Sequence, residues 1–247
     1  MTEPLQLGLL AGLGVVTGAL NVVAGGGSFL TLPVLILLGL PATTANGTNR
    51  VGILAQNIGG VMGFHRYRVL GWRWALLASI PVILGAGLGT WAALVISDAA
   101  FRRLLALLMV PMSLWTLLAP TPDGEAAPQP RSLSTGLWLG FFVVGIYGGF
   151  VQAGMGFLLL ALTRAAGLDL VRGNAVKVLC ILLLTLLALP AFAWHDAVNW
   201  RLGLALGAGS LVGGGLGARL TVRRGNRFVR VVVSGAILVF AVLIWSR

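Results

Sequence analysis

The chain has 247 residues, of which 58% are hydrophobic and only 9% are charged. Soluble domains carry about 25% charged residues, so this composition excludes a soluble globular protein and predicts an all-α polytopic membrane protein. The formal net charge is +11. Basic residues of membrane proteins collect in cytoplasmic loops, so the charge predicts orientation and no nucleic-acid partner. The single cysteine, Cys180, excludes an intrachain disulfide, and we expect neither a bound metal nor a cofactor.

Apolar stretches long enough to cross a bilayer, which takes about 20 residues, recur along the whole chain. The predicted spans are residues 5–23, 42–63, 74–96, 101–119, 134–151, 174–193, 202–222 and 228–245. Two further apolar stretches, 28–40 and 156–167, are too short to cross alone, and each follows a Gly-rich interruption. The count is therefore 8 to 10 hydrophobic segments.

The two halves of the chain resemble each other at a constant offset of 128 residues. This offset aligns Asn46 with Asn174 and the rare dipeptide Trp72-Arg73 with Trp200-Arg201. Rare residues seldom coincide by chance, so we predict a duplication. The predicted units are a first transmembrane repeat at 1–119, a polar Pro-rich linker at 120–133 and a second transmembrane repeat at 134–247.

The distribution of charge permits two topologies for these repeats. With inverted repeats, 12 of the 17 basic residues fall on one face, and with parallel repeats 11 do. Both values obey the positive-inside rule. We favour inversion, because one continuous helix over residues 5–40 would be about 50 Å long and the bilayer core is about 30 Å thick. The chain must therefore break, and broken or re-entrant helices are expected at the glycines.

The breaks are the first candidate for a binding site. Unwound backbone inside a membrane is tolerated where it is buried in protein or lines a cavity. A helix that restarts there presents unpaired N–H groups and a positive dipole end, which suit an anion. Short, Gly-interrupted segments at matching places in two halves are typical of transporter sites. The break residues that we predict to bind substrate are Gly25, Gly26, Gly27, Ser28, Gln152, Gly154 and Gly156.

A polar stripe just downstream of each break is the second candidate. Asn46, Asn49 and Arg50 share one face of the helix after Pro41, and the offset carries Asn46 and Asn49 onto Asn174 and Lys177. Ionisable groups inside a spanning helix are costly unless they face a cavity or a partner. The predicted binding residues from the stripes are Asn46, Thr48, Asn49, Arg50, Asn174 and Lys177.

Structural explanations compete with both candidates. Glycines and asparagines in membrane helices commonly serve helix packing, and Arg50 and Lys177 are close enough to helix starts to reach the interface. No motif of a nucleotide-driven pump or a familiar hydrolase is present. The six acidic residues lie at a terminus or in predicted loops, so we expect no ion pathway built on buried carboxylates.

The motifs also carry a family resemblance. The first half contains Gly12-Leu-Gly14, Ala24-Gly-Gly-Gly-Ser-Phe-Leu30, Leu32-Pro33, Ala45-Asn-Gly-Thr-Asn49 and Tyr67-Arg-Val-Leu-Gly-Trp72. This set resembles the TauE/SafE sulfite exporter family over essentially the whole chain. The second half is less similar, with Ala153-Gly-Met-Gly156 and with Ala175-Val176 in place of the Gly-Thr pair. The resemblance implies a protein of the bacterial inner membrane that transports sulfite or another small sulfur-containing anion.

Taken together, these features predict a secondary transporter that exports small anions by alternating access, with the lipid bilayer as its surroundings. The oligomeric state stays open, and a homo-oligomer is one alternative. The first rival is a non-transporting scaffold, which predicts that Asn46, Arg50 and Lys177 pair with one another and leave no cavity. The second is an intramembrane enzyme, which would need a base beside Ser28, Cys180 or Thr185, and we expect no enzymatic activity.

Overall fold

The computed structural model describes residues 3–104, 107 and 132–245, without the side chains of 226–227, 229–230 and 232–245. Within these ranges the chain is helical, with short connections and no strand. Residues 98–104 form a further helical stretch after α4. The helices are α1 (Glu3–Val23), α2 (Ser28–Leu37), α3 (Ala42–Arg66), α4 (Trp72–Val95), α5 (Thr135–Phe150), α6 (Met155–Ala165), α7 (Leu170–Trp194) and α8 (Trp200–Trp245).

The helices agree closely with the predicted spans. Among the described residues, α1, α4 and α7 are long and apolar enough to cross a membrane. The stretches predicted at 28–40 and 156–167 are the short helices α2 and α6. The spans predicted at 202–222 and 228–245 both lie in α8, which is interrupted at Gly225 with φ of 70°. Most of the span predicted at 101–119 and of the linker at 120–133 lies outside the described residues.

The two short helices end in the same way. Gly39 follows α2 with φ of 92°, and Gly167 follows α6 with φ of 89°. This left-handed conformation costs a residue with a side chain about 1–2 kcal/mol, so glycine is the residue that stops a helix here. The Gly39 N–H donates to the Ile36 carbonyl, and the Gly167 N–H donates to the Arg164 carbonyl.

Close glycine contacts fix the direction of one group of helices. Along α1, Gly14 contacts Leu206 and Gly18 contacts Ser210, so α1 and α8 advance together. Along α3, glycines 52, 59 and 63 contact residues 206, 211 and 218 in the same order. Small residues let helix backbones approach closely in membranes. Helices α1, α3 and α8 therefore run parallel to one another.

The remaining long helices run parallel to one another as well. On α4, Gly85 contacts Phe142 of α5 and Gly89 contacts Ile146, and the starts of α4 and α7 line a common cavity. Further from the starts of these two helices, the Ser79 hydroxyl of α4 donates to the Cys180 sulfur of α7 at 3.3 Å. Helices α4, α5 and α7 therefore share a direction.

The two groups are antiparallel to each other. Gly47 near the start of α3 contacts Phe192 near the end of α7, and Gly60 near the end of α3 contacts Val178 near the start of α7. Because α3 and α7 cross in the middle of the molecule, they join the two groups. This contact is also where the polar stripes of α3 and α7 face the broken helices.

The start of α3 is held by a carboxylate from a distant part of the chain, and we expect a pH-dependent contribution to stability from it. The Asp98 carboxylate accepts a hydrogen bond from the Thr43 N–H at 2.9 Å and lies 3.3 Å from the Arg102 guanidinium. Burial opposes ionisation of Asp98, but the hydrogen bonds from Thr43 and the charge of Arg102 outweigh it, so its pKa is lowered.

A carboxylate with a lowered pKa stabilises the fold above the pKa of the unfolded chain, about 3.9, and the contribution disappears as pH falls through the folded-state pKa. We expect Asp98→Asn to destabilise the protein by about 0.3–1 kcal/mol at pH 6 and by less near pH 3. Thermal unfolding in detergent at both pH values measures this. A loss of the same size at pH 3 and pH 6 would contradict it.

Candidate functional site

Each break is held in place by hydrogen bonds from its own half of the chain. After α1 the backbone turns at Gly25, with φ of 105°, and the Gly27 N–H donates to the Asn21 side-chain oxygen at 2.6 Å. After α5 the chain turns at Gly154, with φ of 75°. Here the Tyr147 hydroxyl donates to the Ala153 carbonyl at 2.5 Å. Residues 21–29 and 151–157 are buried, as required of unwound backbone at membrane depth.

The two breaks lie against each other. A Cβ atom built on Gly25 would lie 2.6 Å from the Gly156 Cα, and one built on Gly156 would lie 2.5 Å from the Gly25 Cα. Both distances are far below van der Waals contact, so only glycine permits this approach of the two backbones. The start of α2 and the start of α6 thereby meet in the interior.

A small buried cavity lies at this meeting point. The volume that the centre of a water molecule can occupy is about 10 Å³, which is enough for one water molecule. Four of the predicted binding residues line it, one or more from each break, together with residues of α1, α3 and α7. The lining residues are Asn21, Gly25, Ser28, Ile53, Gln56, Gln152, Gly156 and Ile181.

Two hydrogen bonds between buried side chains hold the polar groups that line the cavity. The Asn21 amide donates to the Gln56 side-chain oxygen at 3.1 Å, and the Gln152 amide donates to the Thr185 hydroxyl at 2.8 Å. Gln56 was not among the predicted binding residues. The signal for it was weak, because Gln56 lies outside the repeated stripe and its counterpart at the 128-residue offset is Leu184.

The two buried cations bind the ends of the broken helices of the opposite half. The Lys177 ammonium of α7 donates to the carbonyls of Asn21 and Val22, at 3.0 and 2.9 Å, in the last turn of α1. The Arg50 guanidinium of α3 donates to the carbonyls of residues 148 and 149, in the last turn of α5. A helix C-terminus carries partial negative charge and unpaired carbonyls, so a cation stabilises it.

The stripe asparagines repeat the same exchange between halves. The Asn46 amide donates to the Phe150 carbonyl at 2.9 Å, and the Asn174 amide donates to the Val23 carbonyl at 2.9 Å. Each stripe therefore holds the end of the broken helix in the other half. The scaffold alternative required Asn46, Arg50 and Lys177 to pair with one another, and these contacts are made to backbone carbonyls instead.

Polar atoms without a partner are concentrated in the same region. On Arg50, Nε and Nη1 are buried and have no hydrogen-bond partner among the described residues. An unpaired buried polar group costs about 1–3 kcal/mol. Such groups can therefore bind a small ligand or water. The other buried unpaired atoms of the predicted binding residues are Asn46 Oδ1, Asn49 Nδ2, Gln152 Oε1 and Asn174 Oδ1.

The remaining predicted residues have identifiable contacts away from the cavity walls. The Thr48 hydroxyl accepts a hydrogen bond from the Asn199 N–H at 2.9 Å, near the start of α8. The Asn49 side-chain oxygen accepts one from the Thr31 hydroxyl at 2.6 Å. Gly26 and Gly27 supply carbonyls to the first turn of α2.

Comparison with known proteins gives a consistent family assignment. A "Probable membrane transporter protein" from Haemophilus influenzae is 30% identical over 229 residues, covering 92% of this chain and 89% of the relative. The "Probable membrane transporter protein YfcA" of Escherichia coli K12 is 28% identical over 243 residues, covering 96% of this chain and 90% of the relative. A comparison with solved structures found no significant match.

The family model agrees with these relatives and with the helices described above. The model described as "Sulfite exporter TauE/SafE" matches residues 10–244. The chain has helices that are long and apolar enough to cross a membrane, and its bacterial relatives are named membrane transporters. It is therefore a multi-pass cell-membrane protein. It belongs to the sulfite exporter TauE/SafE family.

Proposed function

We propose that this protein is a secondary transporter that exports a small anion, sulfite or an organosulfonate, by alternating access. The observation that carries the proposal is the meeting of two broken helices in one buried polar cavity, between Gly25 and Gly156. The names of the family and of its relatives support membrane transport, and the family description supports the sulfur-containing substrate.

The charges around the cavity favour an anion. Arg50 and Lys177 are completely buried, and each lies one turn from an isoleucine of its own helix that lines the cavity. The N-termini of α2 and α6 add the positive ends of two helix dipoles. The acidic residues that the structure describes are Glu3, Asp98, Asp169 and Asp196, which all lie at helix ends or in loops. The described part of the interior therefore contains two buried basic side chains and no buried acidic one.

Inverted repeats would give such a site two interchangeable gates, and the helix directions support this topology. Under the 128-residue offset, α1, α3 and α4 correspond to α5, α7 and α8. Each member of these three pairs runs opposite to its partner. Transporters built from inverted repeats bind substrate between the repeats and move one repeat against the other. An interior-negative potential would drive each exported charge outward with about 2.3 kcal/mol per 100 mV.

The size of the cavity gives the conformational requirement of this mechanism. A space for one water molecule does not accept an oxyanion of four non-hydrogen atoms, so substrate enters only after the breaks separate. The orphaned Arg50 nitrogens and the side chain of Gln152 would then face a larger site. The tight contact of Gly25 with Gly156 would be the contact that opens.

Neighbouring residues of α3 test this function. Gln56 lines the cavity, whereas Asn57 is equally buried but donates to the Ile53 carbonyl of its own helix. We expect Gln56→Ala to reduce sulfite efflux from loaded proteoliposomes at least about 10-fold, the effect of losing one polar contact of about 1.4 kcal/mol. We expect Asn57→Ala to leave efflux within about 2-fold of the unaltered protein.

The comparison is informative because both substitutions remove a buried amide from one helix. Equal loss of efflux in the two variants would contradict the cavity as the site. Absence of sulfite, sulfoacetate and taurine efflux from the unaltered protein would contradict the proposed substrates. Thermal unfolding of both variants in detergent shows that the comparison is made on folded protein.

A further inference from the structure

Two loops at equivalent positions of the halves lie on opposite faces of the molecule. The loop of residues 67–71 joins α3 to α4, and the loop of residues 195–199 joins α7 to α8. Arg68 has φ of 57° and Asp196 has φ of 53°, and these two residues are 128 positions apart. They are the described non-glycine residues with positive φ, so the two loops share an unusual backbone conformation.

The loop of residues 195–199 is closed against α3. The Ala197 carbonyl lies so close to Gly47 that a Cβ on this glycine would collide with it. Two residues further along, the Asn199 N–H donates to the Thr48 hydroxyl at 2.9 Å. Backbone contact and a hydrogen bond thus seal this end of α3.

The loop of residues 67–71 leaves space where its counterpart makes contact. A cavity of about 310 Å³ separates it from the start of α7. Exposed arginines stand on both walls, Arg68 on the loop and Arg172 on α7, and Arg172 pairs with Asp169 at 3.5 Å. The lining residues are Arg68, Val69, Leu70, Gly71, Trp74, Leu168, Arg172 and Val176.

The difference between the two ends follows from two residues. The counterparts of Gly47 and Thr48 at the 128-residue offset are Ala175 and Val176. Ala175 carries the Cβ that would collide in the closed arrangement, and Val176 has no hydroxyl to accept the loop N–H. The closed arrangement seen at α3 therefore cannot form in the same way at α7.

We propose that the described conformation is open at the face of residues 67–71 and closed at the face of residues 195–199, and that the 310 Å³ cavity is the vestibule through which the anion enters. This inference rests on the proposed function. The open face also carries the arginines at positions 66, 68, 73, 164, 172, 219, 223 and 224, so it is the cytoplasmic face by the positive-inside rule.

The vestibule ends close to the central cavity. Val176 lines the former and Ile181 lines the latter, and five residues of helix span about 7.5 Å. Lys177 lies between them, bound to the end of α1. An anion in the vestibule is thus separated from the central cavity by little more than one helical turn.

Paired cysteines test the asymmetry without measuring transport. In a Cys180→Ala background, Thr48→Cys with Asn199→Cys joins residues already in contact, and Val176→Cys with Gly71→Cys is the matched pair at the open end. We expect oxidation of the full-length protein in proteoliposomes to cross-link the first pair at least about 10-fold faster, because disulfides need Cα atoms within about 7 Å. Equal rates, or faster cross-linking of the second pair, would overturn the proposal.

Hydrogen–deuterium exchange of the unaltered protein gives the same comparison if a cysteine pair prevents folding. We expect slower exchange at residues 198–199 than at residues 70–71, and the reverse order would overturn the closed and open assignment.

Transport kinetics test the vestibule. We expect Arg68→Gln to raise the KM for sulfite at this face about 5- to 10-fold, and Arg66→Gln to leave this KM unchanged. Equal KM values for both variants would remove the vestibule role. Failure of all sulfite transport would contradict the proposed function while leaving the cross-linking result valid.

Discussion

Gly156→Ala is expected to destabilise the described conformation, in which the two breaks are in contact. The new Cβ would lie 2.5 Å from the Gly25 Cα and 3.2 Å from the Gly25 carbonyl oxygen, which are backbone atoms that no rotamer change can move. Overpacking in a rigid interior costs about 1–3 kcal/mol, occasionally more. Because Gly25 has φ of 105° and its backbone is the obstacle, the alanine side chain is accommodated only if the two breaks move apart. We expect the variant to unfold in detergent at a clearly lower temperature than the unaltered protein.

Other glycines supply the control for this substitution. A Cβ on Gly12 of α1 or Gly87 of α4 meets no atom within 4 Å. Alanine favours a helix over glycine by up to about 1 kcal/mol, so both of these variants should be as stable as the unaltered protein or slightly more stable. A Gly156→Ala protein as stable as Gly87→Ala would show that the breaks do not pack as closely as described.

Lys177→Met is expected to reduce both stability and transport. The change leaves the carbonyls of Asn21 and Val22 without the ammonium that now binds them. Each unsatisfied buried acceptor costs about 1–3 kcal/mol. Removal of the cation also lowers the positive potential around the central cavity. We therefore expect sulfite efflux near the background rate of loaded liposomes that contain no protein.

Two further substitutions at this position separate its structural role from its electrostatic role. Lys177→Gln keeps a hydrogen-bond donor for the α1 carbonyls but removes the charge, and Lys177→Arg keeps both. We expect the glutamine variant to fold with intermediate stability and to remain inactive, and the arginine variant to keep part of the efflux. Efflux by the glutamine variant at the unaltered rate would limit Lys177 to helix packing. Arg73→Gln, at an exposed arginine, controls for the loss of one charge.

The sequence was sufficient to predict where the helices break, because the reasons are local. A stretch of apolar residues longer than the bilayer is thick must be interrupted, and the three consecutive glycines at 25–27 are the longest run of poor helix formers in that stretch. Periodicity likewise placed Asn46 and Arg50 on one face of α3. The family assignment was confirmed, because the motifs that carry the resemblance lie in one continuous part of the first half.

The partners of these residues could not be predicted, because they come from the other half of the chain. Nothing local to Lys177 indicates that its ammonium binds carbonyls more than 150 residues away. Gln56 became a cavity residue only through the crossing of α3 with the two breaks. Thr48 shares the sequence neighbourhood of the stripe, but its hydroxyl points to the α7–α8 loop, which periodicity alone does not distinguish.

The hydrogen bonds that residues of one half donate to the other half affect the synthesis of the protein. The carbonyls that end α1 receive their donor from Lys177, 155 and 156 residues later in the chain. At translation rates of about 5–20 residues per second, α1 therefore remains incompletely bonded for about 8–30 s after it leaves the ribosome. During this interval water, lipid headgroups or the insertion machinery must satisfy those carbonyls. A chain that terminates before α7 would keep these two carbonyls without their donor.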